Sequence, residues 1–512
     1  MTGKRCIISL PRSARGRLAL LCSLMALILA VALLWSHGND GLPGPSDRLL
    51  EASMGRSSVQ AEMHLDAEKQ LLNAVQTITY LNDTGDTLES IGMRAWLNAF
   101  ETEEKSPAAL EEIYDLCYAE GFSPGYITIL DVKWNGEAVP WAYTNEDHTA
   151  LEVEIPALQN GEEGELLIRS SAKIPLCAHR TGYSEGVYAL SHAFPTLGFY
   201  ENGAWRKDEY HGIGDPFVSP CVNYSLQLSL PEGYIPACSA PLEQGKDGVW
   251  RGQVLSARDV GLCVSPDYRR ASCRVGDTMV YSYARDEQKA RRALEDAAKA
   301  LETYSRLYGR YPWPSLTVCS ADFPFGGMEY AAFMLISDTN YMDMYQDSLE
   351  LVIAHETAHQ WFYGLVGSDQ WRHPWQDEAL CEYASLRYVE QRYGRDSYET
   401  LKYFRVDMPM QEHIPGTLTP GSPIDYFAGL DDYSAIVYGR GAGLLVALDE
   451  MLPGGADGFL KAYAERFAFD FVSREEFEQF LQQYAGMDMA PLLLDYLDTA
   501  FSAAITNERV IA

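Results

Sequence analysis

His355 and His359 stand four positions apart in the run HETAHQWF, and Glu378 follows nineteen positions after His359. On an α-helix, positions i and i+4 share a face one turn apart, so both imidazoles can offer a nitrogen to one point. A carboxylate near the start of the next helix reaches that point only if the two helices lie side by side. This spacing constrains the fold more than any other feature. The second half of the chain must hold a packed helix pair with polar groups turned inward. Asp347, with Glu350 three positions later, offers a capping box where the first of these helices would begin.

H-E-x-x-H is a zinc pattern with a mechanism: two imidazoles bind the ion, and the glutamate between them is placed to take a proton from water. Catalytic zinc commonly takes three protein ligands and keeps one position open, so His355, His359 and Glu378 predict one Zn2+ ion, with Glu356 as general base. Cys381 as a fourth ligand would close the site; it reads as a small buried helix residue. Glu382 is a candidate partner for the far nitrogen of a ligand histidine. His373 reads as a loop residue.

The rest of the chain changes period part-way. Residues 61–272 read as an antiparallel β domain, sandwich-like in pattern. In VNYSLQLSL, Val222, Tyr224, Leu226, Leu228 and Leu230 alternate with polar residues, and LEVEI repeats the pattern before Asn160-Gly161, which offers a hairpin turn into ELLIRS. From residue 273 the period is helical, interrupted by the short β run SLTVC. DEQKARRALEDAAKALETYSRLYG predicts an amphipathic helix stopped near Gly309. The fold class is α+β: a β domain over 61–272, then a mainly helical domain over 273–512.

The N-terminus predicts targeting. Residues 1–17 carry five basic side chains and no acidic one, and an uncharged, mostly apolar run follows from Leu18 to Trp35. That run is just long enough to span a bilayer, and the flanking charge predicts a cytoplasmic N-terminus with an exported body. An uncleaved transmembrane signal anchor over 18–35 is the first expectation and a cleaved, secreted form the second. Residues 36–60, rich in Gly, Pro and Ser, read as a flexible stalk. A formal net charge of -32 argues against nucleic-acid partners. Ten cysteines show no C-x-x-C spacing, so no structural zinc site and no disulfide connectivity follow from them.

With these residues in view, the chain resembles the aminopeptidase N-like gluzincins, a family that includes leukotriene hydrolase. HETAH with Glu378, the run AHQWFYGLVGSDQWRHPWQDEALCEY, GGMEY at Gly326–Tyr330 and YSAIVYGRGAGLL carry the likeness. The resemblance implies a thermolysin-like catalytic domain behind the β domain, and peptide substrates with a free N-terminus. It implies that Tyr438 stabilises the oxyanion, that Glu329 holds the substrate's α-amino group, and that Gly326, Gly327 and Met328 border the peptide. Tyr433 is a candidate for the pocket wall. Tyr330, Asp377, Ala379 and Arg440 depart from the family's usual Asn, Asn, Gly and Lys. The chain stops at Ala512, where many relatives continue into a helical domain, so a more open cleft is expected. Two alternatives stay beside the aminopeptidase: a catalytically silent peptide-binding module on this fold, and an open-cleft endopeptidase.

Overall fold

The computed structural model describes residues 46–342, 344, 346–411 and 416–500. The apolar run 18–35 lies outside the described residues. Among those described, no helix is long and apolar enough to cross a membrane. The stalk expectation needs correction over its second half. Residues Asp47–Ser53 form a helix (α1) capped by Ser46, whose side chain accepts from Leu49 N, and a strand begins at Ser58. Leu49 is fully buried beneath it. Alpha1 is tied to distant parts of the chain: Ser46 Oγ donates to Pro312 O (3.2 Å), Arg48 Nη2 to Glu465 O (2.6 Å) and Arg56 Nη2 to Phe469 O (2.9 Å).

The first domain is built on an eight-stranded sheet. Its long strands are β1 (Ser58–Asp66), β2 (Leu71–Leu81), β3 (Tyr126–Trp134), β4 (Glu163–Lys173), β5 (Val222–Ser229) and β6 (Trp250–Ala257), in the order β6-β5-β1-β2-β4-β3, with short strands at both edges. The predicted alternation is present: β5 buries Val222, Tyr224, Leu226 and Leu228. Two expectations fail in detail. Beta1 pairs parallel with β5 (Ser58 beside Asn223, His64 beside Ser229), so the domain is not purely antiparallel. LEVEI and ELLIRS do not form a hairpin. The first lies in Ala150–Leu158 and pairs with Leu88–Arg94 in a separate four-stranded sheet, whereas the second lies in β4 and pairs with β2 and β3. The turn is there, with Gly161 at φ +80°, but the chain passes through it from one sheet to the other. Alternation fixes which face of a strand is buried, not which strand it pairs with.

The second domain begins a few residues before 273, inside β7 (Arg269–Val275). Beta7, β8 (Thr278–Ala284), β9 (Ser315–Ala321), β10 (Gly327–Tyr330) and β11 (Phe333–Ser337) make a five-stranded sheet in the order β7-β8-β9-β11-β10. SLTVC is in β9, buried along its whole length, as a strand covered on both faces must be. Between β8 and β9 runs helix α2 (Glu287–Tyr308). Asp286 caps it by accepting from Gln288 N and Lys289 N, and it ends at Gly309 with φ +104°, as the sequence predicts. Helices α3 (Gln346–Ala358) and α4 (Trp375–Tyr393) pack beside each other, and α5 (Gly441–Met451) packs on α4. The capping-box expectation fails: Asp347 lies inside α3, and Glu350 accepts hydrogen bonds from the hydroxyls of Tyr388 and Tyr393 instead.

Buried arginines join the domains. Arg258 donates to Tyr363 O (2.9 Å), Ser219 O (3.2 Å) and Asp470 O (2.6 Å). Arg206 pairs with Asp208 (2.6 Å) on its own domain and with Asp369 (2.7 Å) on the loop before α4. Arg372 on that loop reaches back to Glu201 (2.6 Å).

Candidate metal centre

Alpha3 supplies His355 and Glu356, and His359 follows at its C-terminal end, its N–H donating to His355 O (3.3 Å). Alpha4 supplies Glu378 from its first turn. The packed pair brings His355 Nε2, His359 Nε2 and Glu378 Oε2 into a near-equilateral triangle: 3.1 Å between the nitrogens, 3.2 and 3.3 Å from them to the oxygen. Edges of about 3.3 Å are what a tetrahedral ion with bonds of about 2.0 Å asks of its ligands. The charge balance fits a dication too. Burial by itself would lower the basicity of His355, but Glu378 and Glu382 outweigh it and push its pKa up to about 9. Burial would raise Glu378, yet the two imidazoles hold it well below the usual carboxylate range. The residues therefore fit zinc.

The ligands are themselves held. His359 Nδ1 lies 2.7 Å from Asp377 Oδ1, which fixes the tautomer that leaves Nε2 free for a metal. His355 Nδ1 faces the candidate partner Glu382 Oε2 at 3.6 Å, an ion-pair distance too long for a hydrogen bond, and its ring stacks on Tyr438 at 5.6 Å. Cys381 is fully buried on α4 with Sγ against Phe362 O (3.8 Å). His359, Asp377 and Cys381 form a second compact trio of donor atoms, but Asp377 is already committed to His359. His373 stays on the preceding turn, away from the cavity.

A cavity of about 410 Å³ opens onto the triangle. The predicted residues Gly326, Gly327, Glu329, Glu356, Tyr433 and Tyr438 line it, together with His355, His359 and Glu378. Met328 does not. Strand alternation turns its side chain the other way, into a cluster with Tyr330 and Phe333. Burial raises Glu356 to about 7, and its Oε2 has no hydrogen-bond partner. A Cβ at Gly327 would stand 2.2 Å from Glu356 Oε1, so glycine there is what gives the carboxylate its place. Beta10 is an edge strand, and Gln360, next to the second histidine, fixes it to the metal helix. Its Nε2 donates to Tyr330 O (3.1 Å) and its Oε1 accepts from Ala332 N (2.9 Å). Glu329 accepts from Gln370 Nε2 (3.1 Å), which also bonds Asp377, and burial pushes the Glu329 carboxyl well above its ordinary range.

Sequence reasoning missed three groups on the cavity wall. Arg180 and Asp215 come from the β domain and pair at 2.8 Å; burial raises Asp215 to about 7 despite that pairing. Arg405 comes from the segment Tyr403–Asp407 and faces Glu382 (3.2 Å). None belongs to a motif with fixed spacing. A faint signal lay in Gly214-Asp215-Pro216: Gly214 has φ +74°, and a Cβ there would stand 2.9 Å from the Tyr433 hydroxyl oxygen.

The model of the peptidase family M1 domain matches residues 292–496, the stretch that carries the whole triangle and Tyr438. Over that stretch the chain is similar to the peptidase family M1 domain. Among curated relatives, leukotriene A-4 hydrolase of Xenopus laevis is 29% identical over 206 residues, 37% of this chain and 32% of that one. Aminopeptidase N of Lactobacillus delbrueckii subsp. lactis is 24% identical over 407 residues, 73% of this chain and 46% of that one. The chain thus matches a third to under half of the length of those relatives. An M1 zinc metallopeptidase from Deinococcus radiodurans shares the fold at a TM-score of 0.60 and 18% identity, over 88% of this chain and 96% of that one.

Proposed function

We propose that this protein is a zinc aminopeptidase that releases N-terminal residues from peptides. One observation carries the reading beyond family likeness. Carboxylate oxygens of Glu329 and Glu356 and a nitrogen of His359 lie within 4.8 Å of one another. A substrate amine held by Glu329 thus sits roughly one residue's length, about 3.5 Å, from the bond that Glu356 serves. A fixed, buried carboxylate at that distance favours an ammonium and gains nothing from an internal peptide bond, which argues against the endopeptidase. The intact triangle argues against a silent binding module.

His355, His359 and Glu378 would hold zinc, which when bound supplies Lewis-acid chemistry at the scissile carbonyl. Glu356 takes a proton from the attacking water and returns it to the leaving amine; its raised pKa suits a group that must do both. The Tyr438 hydroxyl, on the cavity wall beside His355, donates a hydrogen bond to the carbonyl oxygen as negative charge builds there. Glu329 binds the α-ammonium, and Asp215 adds a second carboxylate at that end.

The test uses the purified protein with zinc on matched peptides. Unblocked peptides lose their first residue and N-acetylated ones stay intact; equal cleavage of both would overturn the aminopeptidase reading. Glu356→Gln keeps zinc and lowers kcat by at least about 100-fold. The sequence of residues 1–35 supports attachment to a membrane by an N-terminal anchor with the body outside the cytoplasm. Recovery of full-length protein from membranes after alkaline washing tests that; full release points to the secreted form.

A further inference from the structure

Polar groups of the cavity fall on two sides of the metal triangle. On the His359 side stand Glu329, Gln370, Asp215 and Arg180. On the His355 side Tyr438 stacks on the ring at 5.6 Å, and Glu382 and Arg405 stand in file behind it: Nδ1 to Glu382 Oε2 is 3.6 Å, and Glu382 Oε1 to Arg405 Nε is 3.2 Å. Glu382 is buried, but the Arg405 side chain is 47% exposed and forms part of the cavity wall. A guanidinium has five N–H donors in a fixed fork. Arg405 presents Nε to Glu382, and among the described residues no acceptor takes a hydrogen bond from its terminal nitrogens. An arginine needed only to neutralise Glu382 would have no reason to leave that fork in the cavity. Its neighbours Tyr403 and Phe404 are exposed apolar groups on the same short segment.

We propose that Arg405 reads the carboxylate at the far end of short substrates, so that the site prefers peptides ending soon after the cleaved bond. With the amine held at Glu329 and the scissile bond at the triangle, the departing part of the peptide leaves on the other side, where Arg405 offers the one unused cationic fork among the described cavity residues. The path from triangle to fork, through one imidazole and one carboxylate, covers roughly one to three residues at about 3.5 Å each. Bidentate pairing with a planar carboxylate is what an arginine does better than a lysine. In longer peptides the same N–H groups meet a neutral carbonyl and hold it less strongly. This inference rests on the aminopeptidase reading for the direction in which the peptide lies.

The experiment compares a tripeptide with a free C-terminus against its C-terminal amide, in wild type, Arg405→Gln and Arg405→Lys. Wild type favours the free acid by about 10-fold or more in kcat/KM, chiefly through KM. Arg405→Gln brings the ratio to about one and Arg405→Lys restores part of it. A wild-type ratio near one, or a ratio unmoved in Arg405→Gln, overturns the proposal. Equal losses on both substrates also overturn it, because they would mean that Arg405 serves only to hold Glu382. Calorimetric binding of the same two peptides to Glu356→Gln protein gives the ratio without turnover. A wild type that cleaves neither peptide, while acid is still bound over amide, would sink the aminopeptidase reading and leave this one standing.

Discussion

Gly327 shows how one missing side chain shapes this site. The carboxylate of Glu356 occupies the space where a Cβ would be, its Oε1 only 2.2 Å from that position. Gly327→Ala should move that carboxylate by about an ångström and cost about 100-fold in kcat while zinc content stays at one per chain. Normal kcat would show that Glu356 does not need its observed position. Glu329→Gln keeps the shape and removes the charge. It should raise KM for free-amine peptides by about 10-fold or more and narrow their advantage over acetylated ones; an unchanged preference would remove the anchoring role. The metal residues and Glu356 were legible because helical periodicity turns their spacing into a distance. Met328 was misplaced because a motif read as a string ignores that a strand sends alternate side chains to opposite faces. Asp215 and Arg405 reach the cavity through tertiary packing from 163 positions before and 27 after Glu378, and no local pattern announces that.

At the scale of elements, a metal held by the triangle would join α3 to α4. Asp377, Glu378 and Glu382 lie within the first turns of α4, face His355 of α3 and His359 just past its end, and are buried. A bound dication favours the folded state by RT ln(1 + [Zn]/Kd), about 4 kcal/mol at a thousandfold excess over Kd. Chelation should therefore lower Tm by about 5 °C or more, and readdition of zinc should restore it; an unchanged Tm would mean that zinc does not bind between these helices. The helices themselves were legible. Alpha2 begins at Asp286 and ends at Gly309 because a cap and a positive-φ glycine mark both limits. Strand pairing was not. Asn160-Gly161 has the chemistry of a turn, but which sheet each flanking strand joins is settled by partners such as Leu88–Arg94, more than fifty residues away.

Across the whole molecule, the two domains meet through charge as well as apolar packing. Arg206 and Asp369 pair at 2.7 Å with side chains 4% and 7% exposed, one from each domain. Asp369 immediately precedes Gln370, which holds Glu329 and Asp377. Removing one member of a buried pair costs about 3–5 kcal/mol when it strands the other, and less here because Arg206 keeps Asp208 at 2.6 Å. Asp369→Asn should lower Tm and also raise KM, since the loop that carries Gln370 would lose its tie to the β domain; a lower Tm with unchanged KM would show the pair to be structural alone. The ties of α1 act on a different axis, that of time. Arg48 binds the carbonyl of Glu465, 417 positions further along the chain. At roughly 5–20 residues per second, a ribosome needs roughly 20–80 s to travel that far. Throughout that interval α1 can pack on β6 and bond Asn223 but lacks this last tie, so the first helix among the described residues is fully fixed only late. A nascent chain arrested before residue 465 should lose α1 to added protease faster than a finished chain does.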